Sequence, residues 1–226
     1  MSSRTDLLLV CADPREGAAL DALVGRRPFV VGVGKATAAC QLAARLARHE
    51  VGAVLAFGVG GALPAAPSSR PLELLQLVVV VESVLADEGV ESPDGFLDLA
   101  ALGLGEAVVH RHDQRLAAAA ARALGGLELV RAATVSTCSG TDARAQAIAT
   151  RTGARLETME SAALALVCAT FAVPFVELRC VSNATGDRTR AAFAIPAACT
   201  RVQTAVATLL EQDTLALAAA PRPTPR

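Results

Sequence analysis

Between Leu156 and Arg188 the chain reads L-E-T-M-E-S-A-A-L-A-L-V-C-A-T-F-A-V-P-F-V-E-L-R-C-V-S-N-A-T-G-D-R. An apolar helix pattern begins behind Met159 and Glu160 and stops at Pro174. A strand-like run, Phe175–Val181, follows and ends in Ser182-Asn183-Ala184-Thr185-Gly186. Proline has no amide hydrogen and its ring clashes with the preceding turn, so helix and strand are consecutive elements rather than one long helix. A helix that hands over directly to a buried strand is a unit of the α/β layer folds. The unit carries a carboxylate, Glu160, and an amide, Asn183, to the ends of adjacent elements, where open α/β sheets usually hold their ligands.

The rest of the chain repeats the alternation. Asp6–Ala12 is a short apolar run suited to a buried first strand, and Asp13-Pro14 then opens a helix with Glu16 in its first turn. Phe29–Val33 reads as a strand, Gly32-Val-Gly-Lys35 as a tight turn, and Ala36–Arg48 as a helix. Val51–Phe57 is a further strand, followed by a glycine-rich segment, Gly58-Val59-Gly60-Gly61-Ala62, whose backbone amides suit an anion- or water-binding nest or a plain flexible loop. Leu77–Val84 predicts a strand, and Asp87–Phe96 a polar loop compatible with solvated surface or with the wall of a site. Gln114–Leu124 has helix composition, Leu127–Val135 strand composition, Ser136–Gly140 is a small-residue turn, and Ala143–Thr150 is a helix. The expected architecture is a three-layer αβα single domain with a central mixed sheet, spanning 1–212, and a disordered C-terminal tail over 213–226.

Charge excludes several functions. Twenty-one basic against twenty-two acidic residues give a formal net charge of -1 with no block of one sign, so neither nucleic acid nor an anionic membrane is an expected partner. No run is long and apolar enough for a membrane span, since Ser161–Val176 contains Pro174 and is bracketed by Glu160 and Glu177. The six cysteines contain no C-x-x-C pair and mostly sit in apolar runs, as in a reduced cytoplasmic protein. With no Trp and no Tyr, the core is filled by Ala, Val and Leu, and alanine-rich helices suit subunit interfaces, so a homo-oligomer is expected.

Chemistry narrows the candidates further. His49, His110 and His112 lack zinc spacing, and the H-R-H pair lies on an expected surface connection, so no metal site is predicted. Gly32–Lys35 lacks the third glycine of a dinucleotide fingerprint and the spacing of a P-loop, and no cofactor is implied. No G-x-S-x-G elbow exists, and Cys138 has no histidine placed to activate it. Glu16, Glu160, Arg179 and Asn183 remain. Singly, each also fits a structural role: Glu16 and Glu160 as helix-start carboxylates, Arg179 as a salt-bridge partner, Asn183 as a turn former.

Taken together, M-E-x-A…V-P-F…R-x-x-S-N closely resembles the purine nucleosidase and nucleoside phosphorylase superfamily, and G-x-G-K at this location adds to the likeness. The resemblance covers nearly the whole chain. It implies a nucleoside phosphorylase-like fold and cleavage of an N-glycosidic bond in a small nucleoside, with Glu160 on the ribose hydroxyls and Met159 on the sugar face. It further implies Glu16 as general base aided by Arg179, and Asn183 reading the purine. Ser182, Val59, Gly60, Thr137 and Cys138 are the remaining candidate substrate contacts. Asn183, where related nucleosidases carry Asp, the S-N-x-x-G-x-R block and the Asp87–Phe96 segment are similar to the futalosine hydrolase branch. Val59 departs from the hydroxyl residue found in the related Gly-Ser-Ala-Gly-Gly loops. Two other readings stay open: a related purine nucleosidase or phosphorylase acting on inosine or methylthioadenosine-type nucleosides, and a non-catalytic nucleoside-binding protein.

Overall fold

The computed structural model describes residues 6–66, 69–105, 109–189 and 192–215. In chain order the strands are β1 Leu7–Cys11, β2 Phe29–Val30, β3 Ala53–Ala62, β4 Leu77–Leu85, β5 Gly89–Ser92, β6 Gly95–Asp98, β7 Val109–Arg111, β8 Glu128–Thr134, β9 Leu156–Thr158 and β10 Phe175–Ala184. The helices are α1 Pro14–Gly17, α2 Leu20–Val24, α3 Lys35–Arg48, α4 Gln114–Ala123, α5 Asp142–Thr152, α6 Ser161–Thr170 and α7 Ile195–Glu211.

The central sheet is mixed, running β10-β4-β8-β9-β3-β1-β2 with β7 on β4. An extra parallel pairing of β10 with β3 closes β3, β10, β4, β8 and β9 into a circuit. One apolar cluster takes Ala62, Val78, Val80, Val130, Ala132, Leu156 and Val181 from all five of these strands, and so fills the inside of the curl. Along β3 the side chains alternate, as a strand requires. Ala53, Leu55 and Phe57 join a core with Leu20, α4 and α7, whereas Val54 and Ala56 join a core with α3 and α6. Helices therefore cover both faces, and the domain is layered αβα around a mixed sheet, as expected.

Several local expectations are corrected. Gly58–Ala62 is not a loop or nest: β3 runs through it, paired with β10 on one side and β9 on the other. Phe29–Val33 shrinks to two residues, because Gly32 and Gly34 adopt positive φ (84° and 94°) and turn the chain out of the sheet. Asp87–Phe96 is mostly a hairpin, β5 with β6. His112 is not on a surface connection; it is buried, edge-on to Phe175 with ring centroids 4.7 Å apart. The three-residue strands β7 and β9 carry no pattern long enough to read.

α7, the longest helix among the described residues, is not among the elements expected from the sequence. Its apolar positions Ala198, Val202, Ala205, Val206 and Leu209 follow helical spacing. Its other face carries Thr200, Thr204 and Thr208, whose hydroxyls bond back to carbonyls four residues earlier. Leu215 packs into the same core. Residues 216–226, most of the expected tail, lie outside the described residues.

Leu55 is fully buried at the centre of β3. Leu55→Ala is expected to cost about 2–5 kcal/mol through lost burial and a residual cavity. Urea unfolding monitored by circular dichroism measures it, and a cost near zero would mean that β3 is not the tightly packed centre of the sheet.

Candidate active site

β1, β3 and β10 are mutually parallel, so their carboxyl ends lie on one edge of the sheet. A cavity of about 260 Å³ opens there. Its wall is drawn from the β1–α1 junction, the far ends of β3 and β10, the β9–α6 junction, the turn after β8 and the chain entering α7. Among the residues singled out from the sequence, Glu16, Val59, Gly60, Cys138, Met159, Glu160, Arg179, Ser182 and Asn183 all line it. Thr137 does not; it is exposed, and its carbonyl accepts from Arg144 Nη2 at 3.1 Å.

Glu16 reaches the cavity because Asp13 caps α1 by accepting from the Arg15 amide at 2.9 Å. Its Oε2 closes the capping box on the amides of Ala12 (3.0 Å) and Asp13 (3.1 Å). Its Oε1 accepts from the Val59 amide at 2.9 Å. The capping role and the site role thus coexist in one carboxylate. Gly58 is required beside it: a Cβ there would run into the Glu16 carboxylate and lie 2.8 Å from Arg179 Nη1. Glycines in this segment buy close approach of side chains rather than a flexible loop. Val59 takes part through its backbone, donating to Glu16 and accepting from Arg179 Nη1 at 3.1 Å.

Glu160 sits immediately before α6 but makes no side-chain cap to it. Its Oε1 instead accepts from the Gly34 amide at 2.8 Å, and its Oε2 lies 3.9 Å from Arg179 Nη2. The G-x-G-K turn therefore serves the site through the left-handed Gly34, while Lys35 is tied to Asp87 (2.7 Å) and Glu88 (3.3 Å). Burial pushes the Glu160 carboxyl above its ordinary range, although the Arg179 charge and the Gly34 amide pull the other way. Arg179 is buried as well. Desolvation opposes its charge, but Glu177, Glu16 and Glu160 outweigh that and hold it firmly protonated.

A bulge between Val181 and Asn183 breaks the β10 register. Beside it, the Ser182 hydroxyl reaches Asn183 Oδ1 (2.8 Å) and Gly60 O (3.2 Å). Asn183 Nδ2 donates to Ala184 O at 2.9 Å, which leaves one amide hydrogen and one carbonyl lone pair for a ligand. Cys138 has its thiol pushed up by burial and by the charges of Glu157 and Glu160, the opposite of an activated nucleophile.

Glu157 is a cavity residue that sequence reasoning missed. It is buried, and it accepts from the Ser139 amide (2.9 Å) and hydroxyl (2.5 Å), fixing the turn after β8. Only its place in β9, too short to recognise, could have signalled it. At the rim, Arg188 lies over the Phe193 ring, 5.0 Å from the centroid, and both line the cavity. None of residues 87–96 lines it; in that hairpin the Phe96 ring packs 3.9 Å from the Arg151 guanidinium instead. No cluster of three metal-ligating side chains occurs among the described residues.

The family model for the phosphorylase superfamily matches residues 21–212, and the chain belongs to that superfamily. Within it, a futalosine hydrolase of Thermus thermophilus is 38% identical over 185 residues, covering 80% of each chain. A futalosine hydrolase of Streptomyces coelicolor is 39% identical over 191 residues, covering 80% of this chain and 77% of the relative. The fold is shared with the native futalosine hydrolase of Helicobacter pylori, at a TM-score of 0.76 and 17% identity over 92% of this chain and 98% of that one. It is equally shared with a methylthioadenosine/S-adenosylhomocysteine nucleosidase of Colwellia psychrerythraea solved with adenine, at 0.75 and 19% identity over 93% and 96%.

Gly58→Ala is expected to cost about 1–3 kcal/mol by overpacking. In a Glu16→Ala background, where the carboxylate is gone, the cost is expected to shrink, and a double-mutant cycle of unfolding free energies measures the coupling. An unchanged cost would show that Glu16 is not what Gly58 makes room for.

Proposed function

We propose that the protein hydrolyses the N-glycosidic bond of futalosine, releasing hypoxanthine and leaving dehypoxanthinylfutalosine, a step of menaquinone biosynthesis. The observation that carries this reading is the meeting of Glu16, Glu160, Arg179, Met159 and Asn183 at one cavity in a chain whose curated relatives are futalosine hydrolases. Breaking the bond sends its electron pair onto the purine and leaves positive charge on the ribose. Glu160 accepts hydrogen bonds from the ribose hydroxyls and stabilises that charge. Glu16 takes a proton from the attacking water, whose oxygen bonds to the anomeric carbon. The departing base, holding the bond's electron pair, takes a proton at N7 from solvent while Glu16 returns its proton to solvent. The free amide hydrogen and lone pair of Asn183 meet the 6-oxopurine, donating to the exocyclic oxygen and accepting from that N7–H.

Water rather than phosphate is the acceptor in this reading. A phosphate site gathers several donors, whereas Arg15 at the first junction is already paired with Asp13 at 2.8 Å and Val59 offers no polar side chain. A homo-oligomer in the cytoplasm accompanies the proposal; six unpaired cysteines and exposed apolar side chains such as Leu166 and Phe171 support it. No described helix is long and apolar enough to cross a membrane.

The deciding assay follows free hypoxanthine from futalosine and inosine at equal concentration, with and without phosphate. Futalosine is expected to be preferred, no sugar phosphate to form, and Glu16→Gln to lower turnover by roughly 100-fold while binding persists. A marked preference for inosine, or formation of ribose-1-phosphate, would overturn the assignment.

The raised Glu160 carboxyl sets the pH dependence. Its ionised form is the one that binds ribose, and a raised value means that protonation begins at higher pH than for an ordinary glutamate near 4.3. As pH falls, kcat/KM is therefore expected to decline at higher pH than an ordinary glutamate would give. A profile flat down to about pH 4.3 would remove Glu160 from the ribose-binding role.

A further inference from the structure

Directly behind the cavity lies a polar cluster to which the mechanism gives no part. Glu177, fully buried, precedes Arg179 by two residues on β10, so both side chains leave the same face of the strand. Its Oε1 accepts from Arg179 Nε at 2.6 Å and from the Ser161 hydroxyl at 2.5 Å. Among the described residues its Oε2 has no hydrogen-bond partner, and it faces His112 Nε2 at 3.9 Å. That histidine cannot take over the carboxylate. Nδ1 lies 2.8 Å from the Val80 carbonyl, which only accepts, so Nδ1 carries the hydrogen and Nε2 accepts from the Ser83 hydroxyl at 2.5 Å. Burial further lowers the basicity of the ring.

Glu177 does not line the cavity, whereas Arg179 does. The guanidinium has two edges. With Nε fixed on Glu177, the Nη atoms point forward, to the Val59 carbonyl and toward Glu160. We propose that Glu177 is a positioning residue of the site: it anchors the rear edge of Arg179, so that the forward edge and only part of the guanidinium charge are presented to Glu160 and Glu16. This inference rests on the glycosidic reading of the cavity.

Glu160 is faced by Arg179 and Glu177 from β10, by Glu16 from α1, by Cys138 from the turn after β8, and by the Gly34 amide ahead of α3. Of these, Arg179 favours its ionised form and Glu177 disfavours it. Removing the Glu177 charge without changing its shape therefore makes Glu160 easier to ionise.

The experiment compares wild type, Glu177→Gln and Glu177→Asp for kcat, KM and the acid limb of kcat/KM on futalosine, with urea unfolding in parallel. In Glu177→Gln the acid limb is expected to move to lower pH, and kcat to fall on the order of 10- to 100-fold with KM nearly unchanged. Glu177→Asp keeps the charge but retracts it from Nε, so kcat is expected to fall while the limb stays in place. Loss of stability in either folded variant with wild-type kcat and an unmoved limb would overturn the proposal. If Glu177→Gln does not fold, Glu177→Asp decides alone, and wild-type kcat there overturns it. A wild type that cleaves inosine but not futalosine would sink the substrate reading only, since the same comparison then runs on inosine.

Discussion

A guanidinium with almost no access to water sits between the sheet and its cavity, and much of the local structure answers to it. An isolated buried charge is too costly to keep, so Arg179 has to be surrounded by carboxylates and carbonyls with little room to relax. Glu177 supplies the rear contact, Val59 a carbonyl, and Glu160 and Glu16 the charges in front. Gly58 leaves the space in which Arg179 and Glu16 approach one another. Each of these groups is held by something else: Glu177 by Ser161, Glu160 by the Gly34 amide, Glu16 by three backbone amides. The cavity's chemistry and the local stability of the sheet are therefore one problem.

The sheet solves it by period and direction. Leu178 and Cys180 enter the apolar core under α4 and α7, while Glu177 and Arg179 leave the other face of the same strand. A one-residue slip of β10 against β3 would exchange the two sets and put the charges into the apolar core. Register is thus specified twice, by burial of the apolar set and by pairing of the ionic one. The bulge between Val181 and Asn183 releases that register only where the strand reaches the cavity.

The fold itself does not choose the reaction. Similar backbones are found in a futalosine hydrolase and in a methylthioadenosine/S-adenosylhomocysteine nucleosidase, so substrate and acceptor must be argued from the site. Here the arrangement is rich in carboxylates, with Glu16, Glu157 and Glu160 on the wall and Glu177 behind it. Such an environment suits a reaction that develops positive charge on a sugar.

Elements that bury both faces announce themselves locally. Asp6–Ala12, Val51–Phe57, Leu77–Val84 and Phe175–Val181 are continuous apolar runs, and Pro174 and Asp13-Pro14 punctuate the chain, so layer class and most element positions were legible without coordinates. The motif residues Glu16, Met159, Glu160, Arg179 and Asn183 stand out only together, through the family resemblance, because singly each also fits a structural role and Arg179 lies in mid-strand. Three-residue strands such as β9 have no period, which is why Glu157 escaped notice. Only tertiary contacts turned Gly58–Ala62 from loop into strand, since a glycine run is extended or coiled according to its neighbours. His112 likewise became a core residue only once Ser83, Phe175 and Glu177 had closed around it. Sequence spacing records what a residue does within its own element; who lies across from it is set by the closure of β10 on β3, which joins parts of the chain far apart in sequence.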